Sequence, residues 1–406
     1  MMVYIAESGS VYAKPFKPDY AMSTFANQPS SFSAYRVTIG LVKRSPDAIQ
    51  FVTLAAFERM FACAINSLPQ NVCVMGWVKS EQRWYCAPES LAVHRAVHLS
   101  NTFHTFGTKK LLAFLAARVF PSMELDAIWF PYCFYDAWRE RTAYASSYCW
   151  VEPPDMSTWM EWRGAPGALP ILSPNRHWLV SQGAQLGDPS AFMVPDGHYL
   201  LQNHYAELFA MVAQSRVAWT DKLPRAILAA SDHGESSNFL VPRAEPGIHP
   251  RRLLRDVVAA ENLDVDVFLG ANISLPEQLR YRYIVDVDGF ARTWSAWAWK
   301  MMSGSTVLSL ASIWTSFFNE QFLPWEHFVP IANDSSDLAE KLQWCREHDS
   351  ECQAIAERAQ KRAMEVYNLE TVTGRVADGL RAQLTTPPPA DWLAAVATIR
   401  SAPRAS

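Results

Sequence analysis

Asp288-Gly289, Arg292-Thr293 and Ser295 bring a carboxylate, a glycine, a guanidinium and two hydroxyls into one short stretch. A guanidinium and hydroxyls bind phosphate oxygens, and a glycine lets the backbone approach them closely. The β-branched run Tyr283-Ile284-Val285-Asp286-Val287 precedes them, and neither Pro nor Gly interrupts Thr293 to Met302. The group is therefore expected on a strand-to-helix turn, made cheap at Asp288-Gly289 because glycine tolerates positive φ. Such a turn lies at the carboxyl end of a parallel strand, beside a helix N-terminus whose N–H groups favour anions. The chemistry this predicts is the binding of a phosphate-bearing ligand. A solvated loop arginine at Arg292 and a helix cap at Thr293 are the structural alternatives.

Ser231-Asp232-His233-Gly234 follows a second expected strand, Arg225 to Ala230, and so reaches the same edge. Ser231 and His233 are further binding candidates, with a surface-turn histidine as the alternative for His233. Ser303 and Ser305 either hydrogen-bond the ligand or only close the helix before them. Asp286 and Asp288 stand two apart, as a metal-binding pair would. The strand gives way to the turn between them, so their carboxylates are expected to diverge, and no metal is expected.

The elements that must hold these residues have a clear rhythm in the second half of the chain. Val265 to Leu269, Thr306-Val307-Leu308 and Phe328 to Ile331 read as further strands. Leu253, Leu254, Val257 and Val258 mark one helix face, and Leu275 to Arg280 suits a short helix. Later helices carry Leu338, Leu342 and Cys345, then Ile355, Ala356, Ala359 and Ala363, then Leu369, Val372, Val376 and Leu380. Strands alternating with helices predict a doubly wound parallel sheet. In the first half, strands are expected at Tyr35 to Ile39, Val72 to Trp77 and Leu125 to Phe130. Helices are expected over Ala48 to Ala64, Lys109 to Val119 and His204 to Gln214, and loops over Pro153 to Pro174.

At 406 residues the chain exceeds one ordinary core, so two domains of roughly 150–200 residues are expected. Hydrophobic residues make up 50% and charged residues 19%, which is globular composition and excludes general disorder. The net charge of −4 shows no basic stripe, which argues against nucleic acid as a partner. The 16 Trp suit either sugar stacking or core packing. Seven Cys without a Cys-x-x-Cys pair point to reduced thiols in a cytosol. Met1 to Tyr20 lacks a basic start followed by an apolar run, so no signal peptide is expected. Apolar segments such as Leu111 to Phe120 are too short for a bilayer of about 30 Å. These features point to a cytoplasmic protein, with at most a peripheral contact at the inner membrane surface.

The second half resembles glycosyltransferase family 90, the group of capsule-associated proteins, lipopolysaccharide glycosyltransferases and protein O-glucosyltransferases. The resemblance rests on Tyr283-Ile284-Val285-Asp286-Val287-Asp288-Gly289, Thr293-Trp294, Ser303-Gly304-Ser305 and Pro324-Trp325-Glu326-His327-Phe328-Val329-Pro330-Ile331. It continues into the helix start from Asp334 to Leu338. Three positions depart from the family pattern. Ala229-Ala230-Ser231 stands where many members have Arg-Gly-Ser, Ser295-Ala296 follows Trp294 where many carry an arginine, and Ser316 replaces an acidic residue. Arg292 is the residue able to replace one of the two missing cations, and the bacterial lipopolysaccharide branch is the nearer relative.

The resemblance implies an α/β, GT-B-like architecture: two Rossmann-type domains with an interdomain cleft. On that pattern, 1–30 is an irregular arm, 31–205 the acceptor-side domain, 206–368 the donor-binding domain, and 369–406 a C-terminal helix and tail. It implies an inverting, metal-independent transfer from a nucleotide diphosphate-sugar, a UDP-sugar by analogy, to a glycan or lipid-linked glycan acceptor. The donor contacts would come from Ser231, His233, Asp288, Gly289, Arg292, Thr293, Ser295, Ser303 and Ser305. An inverting transferase needs a general base, and the family places an Asp after an N-terminal-domain strand. Asp136 stands there, and Asp196, in a loop that lies in the cleft of relatives, is the second candidate or a simple turn residue. The missing cations motivate an alternative: a catalytically silent glycan- or nucleotide-binding module of the same fold.

Overall fold

Five short apolar runs fold into one parallel sheet whose central strands bury successive residues and so both faces, the usual condition of strands covered by helices on either side. They are β1 (Leu223–Ala230), β2 (Val265–Leu269), β3 (Tyr281–Asp286), β4 (Thr306–Leu310) and β5 (Val329–Ile331). Their spatial order is 2-1-3-4-5 and every pairing is parallel. The computed structural model describes residues 2–5, 11–14, 49–51, 72–80, 82–86, 110–125, 127–133, 171–181, 184–187, 191–234, 248–289, 291–292 and 295–383.

Successive strand residues point to opposite faces, and the two cores follow that alternation. Ala226, Leu228, Tyr283, Val285 and Leu308 pack with Leu254 and Val258 of α1 (Pro250–Ala260) and with Leu338 and Leu342 of α4 (Leu338–Glu347). Ile227, Ile284 and Val307 face the other way, onto Trp297, Ala298 and Met301 of α3 (Ala296–Met302). The short α2 (Leu275–Gln278) begins with a full capping box between Ser274 and Glu277. Helix α5 (Asp349–Val366) gives Ile355 to the first layer and Ala359, Ala363 and Val366 to the second. Helix α6 (Leu369–Gln383) buries Val372, Val376 and Leu380.

The second core runs on into the first half, through Phe120, Phe130, Leu172, Val194 and Tyr199. Trp77 and Trp84 pack there with ring centroids 5.0 Å apart. With Trp297, Trp299 and Trp314 also buried, the core-packing reading holds for these tryptophans, while Trp325 stays 43% exposed.

The first half has a mixed sheet. Val72–Val78 pairs antiparallel with both Arg83–Cys86 and Ala127–Cys133, because a tight turn at Lys79 to Gln82 joins the first two directly. Ile171–Ser173 and Ala191–Met193 extend the sheet in parallel. The helix expected over Ala48 to Ala64 is corrected at its start: Ile49–Phe51 is a strand paired with Arg83–Cys86. β-branched and aromatic residues favour strands, and a partner edge was available. The strand expected at Tyr35 to Ile39 and most of the loop expected over Pro153 to Pro174 lie outside the described residues.

One further strand, Trp314–Ser316, leaves the end of β4 and pairs antiparallel with Asn175–Ser181, which also pairs with Ala184–Gly187. It stitches the five-stranded sheet to the first half. Among the described residues, no helix is long and apolar enough to cross a membrane.

Candidate functional site

In the order 2-1-3-4-5, the chain leaves β1 toward one side and β3 toward the other, so the direction of winding reverses between them. Ligands in open α/β sheets bind at the carboxyl end of such a switch point. The loops there are Ser231 to Gly234 after β1 and Val287 to Arg292 after β3, so the sequence placed Ser231, His233, Asp288, Gly289 and Arg292 on the correct edge. Thr293 lies outside the described residues. Ser295 is buried before α3, and its carbonyl accepts from Trp299 N at 3.1 Å.

Arg251 joins the two loops. Its Nη1 donates to Ser231 O at 3.0 Å, to Ser231 Oγ at 2.7 Å and to His233 O at 3.0 Å, while Nη2 reaches Val287 O at 3.5 Å. The acceptors are carbonyls and a hydroxyl, and among the described residues Arg251 forms no ion pair. Burial lowers its pKa to about 10, offset in part by Asp288, Asp286 and Asp232, so it stays charged at neutral pH. A cation held by neutral acceptors keeps most of its pull on an anion. The uncapped start of α1 adds to it, with His249 before the helix, Pro250 first and no side-chain cap.

Gly289 is needed for a reason other than the expected one. Its φ is not positive; instead, a Cβ there would sit 2.9 Å from Arg251 Nη2. Gly234 is equally confined, since a Cβ would lie 2.9 Å from His249 Nδ1.

His233 and His249 are both neutral, burial having lowered each pKa from 6.5 to about 4. Among the described residues, neither ring nitrogen of the buried His249 has a hydrogen-bond partner, and the nearest carboxylate oxygen, on Asp232, is 3.8 Å away. Asp232 is held instead by Arg252, at 3.0 and 3.2 Å. In the unfolded chain both imidazoles titrate near 6.5. Between pH 6.5 and about 4 the unfolded chain therefore binds more protons, and stability present above 6.5 drains away as pH falls through that window. The urea midpoint is expected to drop between pH 7 and pH 5, and a His249→Gln variant should show a shallower slope.

The carboxylates of Asp286 and Asp288 do not diverge as expected; both converge on Arg292. Nε of Arg292 donates to Asp288 Oδ1 at 2.8 Å, and Nη2 to Asp286 Oδ2 at 3.0 Å, to Ser309 Oγ at 2.8 Å and to Leu310 O at 3.1 Å. Lys300 Nζ takes the other oxygen of Asp286 at 2.7 Å. Burial alone would raise the Asp286 pKa, but Lys300 and then Arg292 outweigh it and hold the carboxyl below its usual range. Only 13% of the Arg292 side chain is exposed, and its guanidinium lies 5.2 Å from the Trp297 ring centre. It is neither a solvated loop residue nor turned outward; it ties the loop down.

Ser303 and Ser305 are corrected to the helix-closing alternative. They lie at the opposite, amino edge of the sheet, before β4 and beside the start of β3. Ser303 Oγ donates to Lys300 O at 2.5 Å, Ser305 Oγ donates to Tyr281 O at 2.7 Å, and Gly304 turns the chain at φ +65°. The buried Lys222 closes the group, its Nζ reaching Leu279 O at 2.5 Å, Ser305 Oγ at 2.8 Å and Ser303 O at 3.4 Å.

Asp196 caps the helix Gly197–Leu201 by accepting from Tyr199 N at 2.8 Å, and it also accepts from Tyr205 OH at 3.2 Å. Asp136 lies outside the described residues. Sequence reading missed Arg251, His249, Lys300 and Ser312. Arg251 follows Pro250, a helix-start signal that marked its place but not its reach across two loops.

The sheet order defines a doubly wound α/β domain with a buried cation, Arg251, between the two loops of its switch point. Residues 205–376 match the family model described as glycosyl transferase family 90. Human protein O-glucosyltransferase 3 is 26% identical over 207 residues, covering 50% of this chain and 39% of that protein. Protein O-glucosyltransferase 2 of Danio rerio is 33% identical over 85 residues, covering 21% of this chain and 17% of its own. An uncharacterized protein of Invertebrate iridescent virus 6 is 28% identical over 144 residues, 32% of this chain and 12% of its own. The chain thus spans well under half the length of these curated relatives. Among solved structures, Anabaena HepE in complex with UDP-glucose aligns at TM-score 0.32 and 12% identity, covering 56% of this chain and 68% of that one.

Proposed function

We propose that this chain is a glycosyltransferase that takes a sugar from a nucleoside diphosphate donor, a UDP-sugar, and passes it to a hydroxyl acceptor. The observation that carries this reading is Arg251: a guanidinium whose acceptors among the described residues are all neutral, set between the two loops of the switch point beside an uncapped helix start. The acceptor oxygen attacks the anomeric carbon from the face opposite the donor oxygen, giving inversion. The bond from that carbon to the diphosphate breaks, and the electron pair leaves with the diphosphate. Arg251 and the α1 N–H groups meet the growing negative charge, so a metal is not required for that step. The acceptor proton goes to a carboxylate. We assign this role to Asp136, because Asp196 is engaged as a helix cap and by Tyr205.

The acceptor is a hydroxyl of a surface glycan such as lipopolysaccharide or capsule, following the bacterial character of the motif. The curated relatives named protein O-glucosyltransferases favour a second reading, a hydroxyl on a protein side chain. Millimolar UDP is expected to raise the melting temperature, since a ligand at 100 times its Kd stabilises by about 2.7 kcal/mol. Asp136→Asn should keep that protection and lose transfer by roughly 10²–10⁴-fold. If no nucleoside diphosphate moves the melting curve, the donor reading is wrong.

A further inference from the structure

Ser312 links the donor loop to the first half of the molecule. Its Oγ donates to Asp288 Oδ2 and accepts from Trp314 N at 2.9 Å. Asp288 sits on the loop after β3, next to Gly289 and ion-paired to Arg292 at 2.8 Å. Trp314 begins the strand that crosses to the first half, where it pairs with His177. The contact continues beyond that pair. Phe317 N donates to Pro174 O at 3.4 Å, and the neighbouring Ser173 O accepts from Val194 N at 3.0 Å, two residues before Asp196. The bonds made by Ser312 Oγ, Phe317 N and Val194 N join groups that are buried or partly buried, where hydrogen bonds are strong.

Resting on the donor reading above, we infer that Ser312 is a positioning residue that transmits donor occupancy from Asp288 to the strand Asn175–Ser181 and the turn carrying Asp196. A diphosphate settling against Gly289 shifts or fixes Asp288, whose Oδ2 accepts from Ser312 Oγ. Ser312 passes that change to Trp314, because the same hydroxyl both donates to Asp288 and accepts from the Trp314 amide. The strand Asn175–Ser181 and the turn carrying Asp196 are then held in place when the donor is bound, which favours transfer over loss of the sugar to water.

Hydrogen exchange with and without millimolar UDP tests this in the intact chain. In the wild type, UDP is expected to slow exchange in peptides covering 286–292 and also in those covering 175–181 and 194–199. In Ser312→Ala, protection at 286–292 should remain while protection of the first-half peptides is lost, and Ser312→Thr should restore it. A hydroxyl with only a structural role would change the basal exchange and leave the UDP response intact. Wild-type protection confined to the loop overturns the inference, as does first-half protection that survives in Ser312→Ala. No protection at 286–292 in the wild type sinks the donor reading itself and takes this inference with it. The wild-type comparison alone decides the matter if the alanine variant does not fold.

Discussion

Replacing Arg292 with alanine is expected to destabilise the protein by about 3–5 kcal/mol, the cost of stranding a buried charge. Among the described residues, the change would leave Asp288 with Ser312, and Asp286 with Lys300 and a long bond from Ser309 Oγ at 3.4 Å. Both carboxylates are less than 9% exposed, so water cannot replace the lost guanidinium. Denaturant titration checks it: the midpoint should fall markedly, and Arg292→Lys should recover only part, because an ammonium cannot span two carboxylates as a planar fork does. An Arg292→Ala midpoint within about 0.5 kcal/mol of wild type, the usual range for surface substitutions, would show that the network does not hold the loop.

Arg251→Gln is expected to remove most of the UDP-dependent rise in melting temperature while leaving a folded protein. Glutamine can still donate to one of the carbonyls, but it carries no charge. A hydrogen bond to a charged group contributes about 1.5–3 kcal/mol, so UDP affinity should fall roughly 10- to 100-fold. Gly289→Ala should act in the same direction through space alone. The new methyl would meet Nη2 at 2.9 Å, and the guanidinium, fixed by its bonds to Ser231, His233 and Val287, cannot easily retreat. Calorimetric titration with UDP measures both. Full affinity in Arg251→Gln would move the diphosphate away from this loop pair.

Much of the fold of the second half was legible in the sequence because its signals are local. Continuous apolar runs marked β1 to β5, and apolar spacing marked α4, α5 and α6 close to their actual bounds. The loop residues were placed on the correct edge by the same logic, since a residue that follows a parallel strand must emerge at its carboxyl end. What escaped were facts of tertiary distance. Nothing in Asp286-Val287-Asp288 says that an arginine four residues past Asp288 folds back between both carboxylates. Nothing near Arg251 says that two loops far along the chain will present carbonyls to it. Gly289 was identified for its backbone freedom, whereas its real constraint is a side chain thirty-eight residues earlier in the sequence. In the first half the hairpin at Lys79 to Gln82 gave no warning of a mixed sheet, and Trp314–Ser316 was too short to announce a strand.

Helix α5 belongs to both hydrophobic layers, with Ile355 on one side of the sheet and Ala359, Ala363 and Val366 on the other. A single rod that walls both sides makes the layers melt as one event, so partial loosening of either face is suppressed. A shortened chain ending before Asp349 would bare the sheet on two sides together, which makes this helix the least dispensable span for anyone trimming the protein.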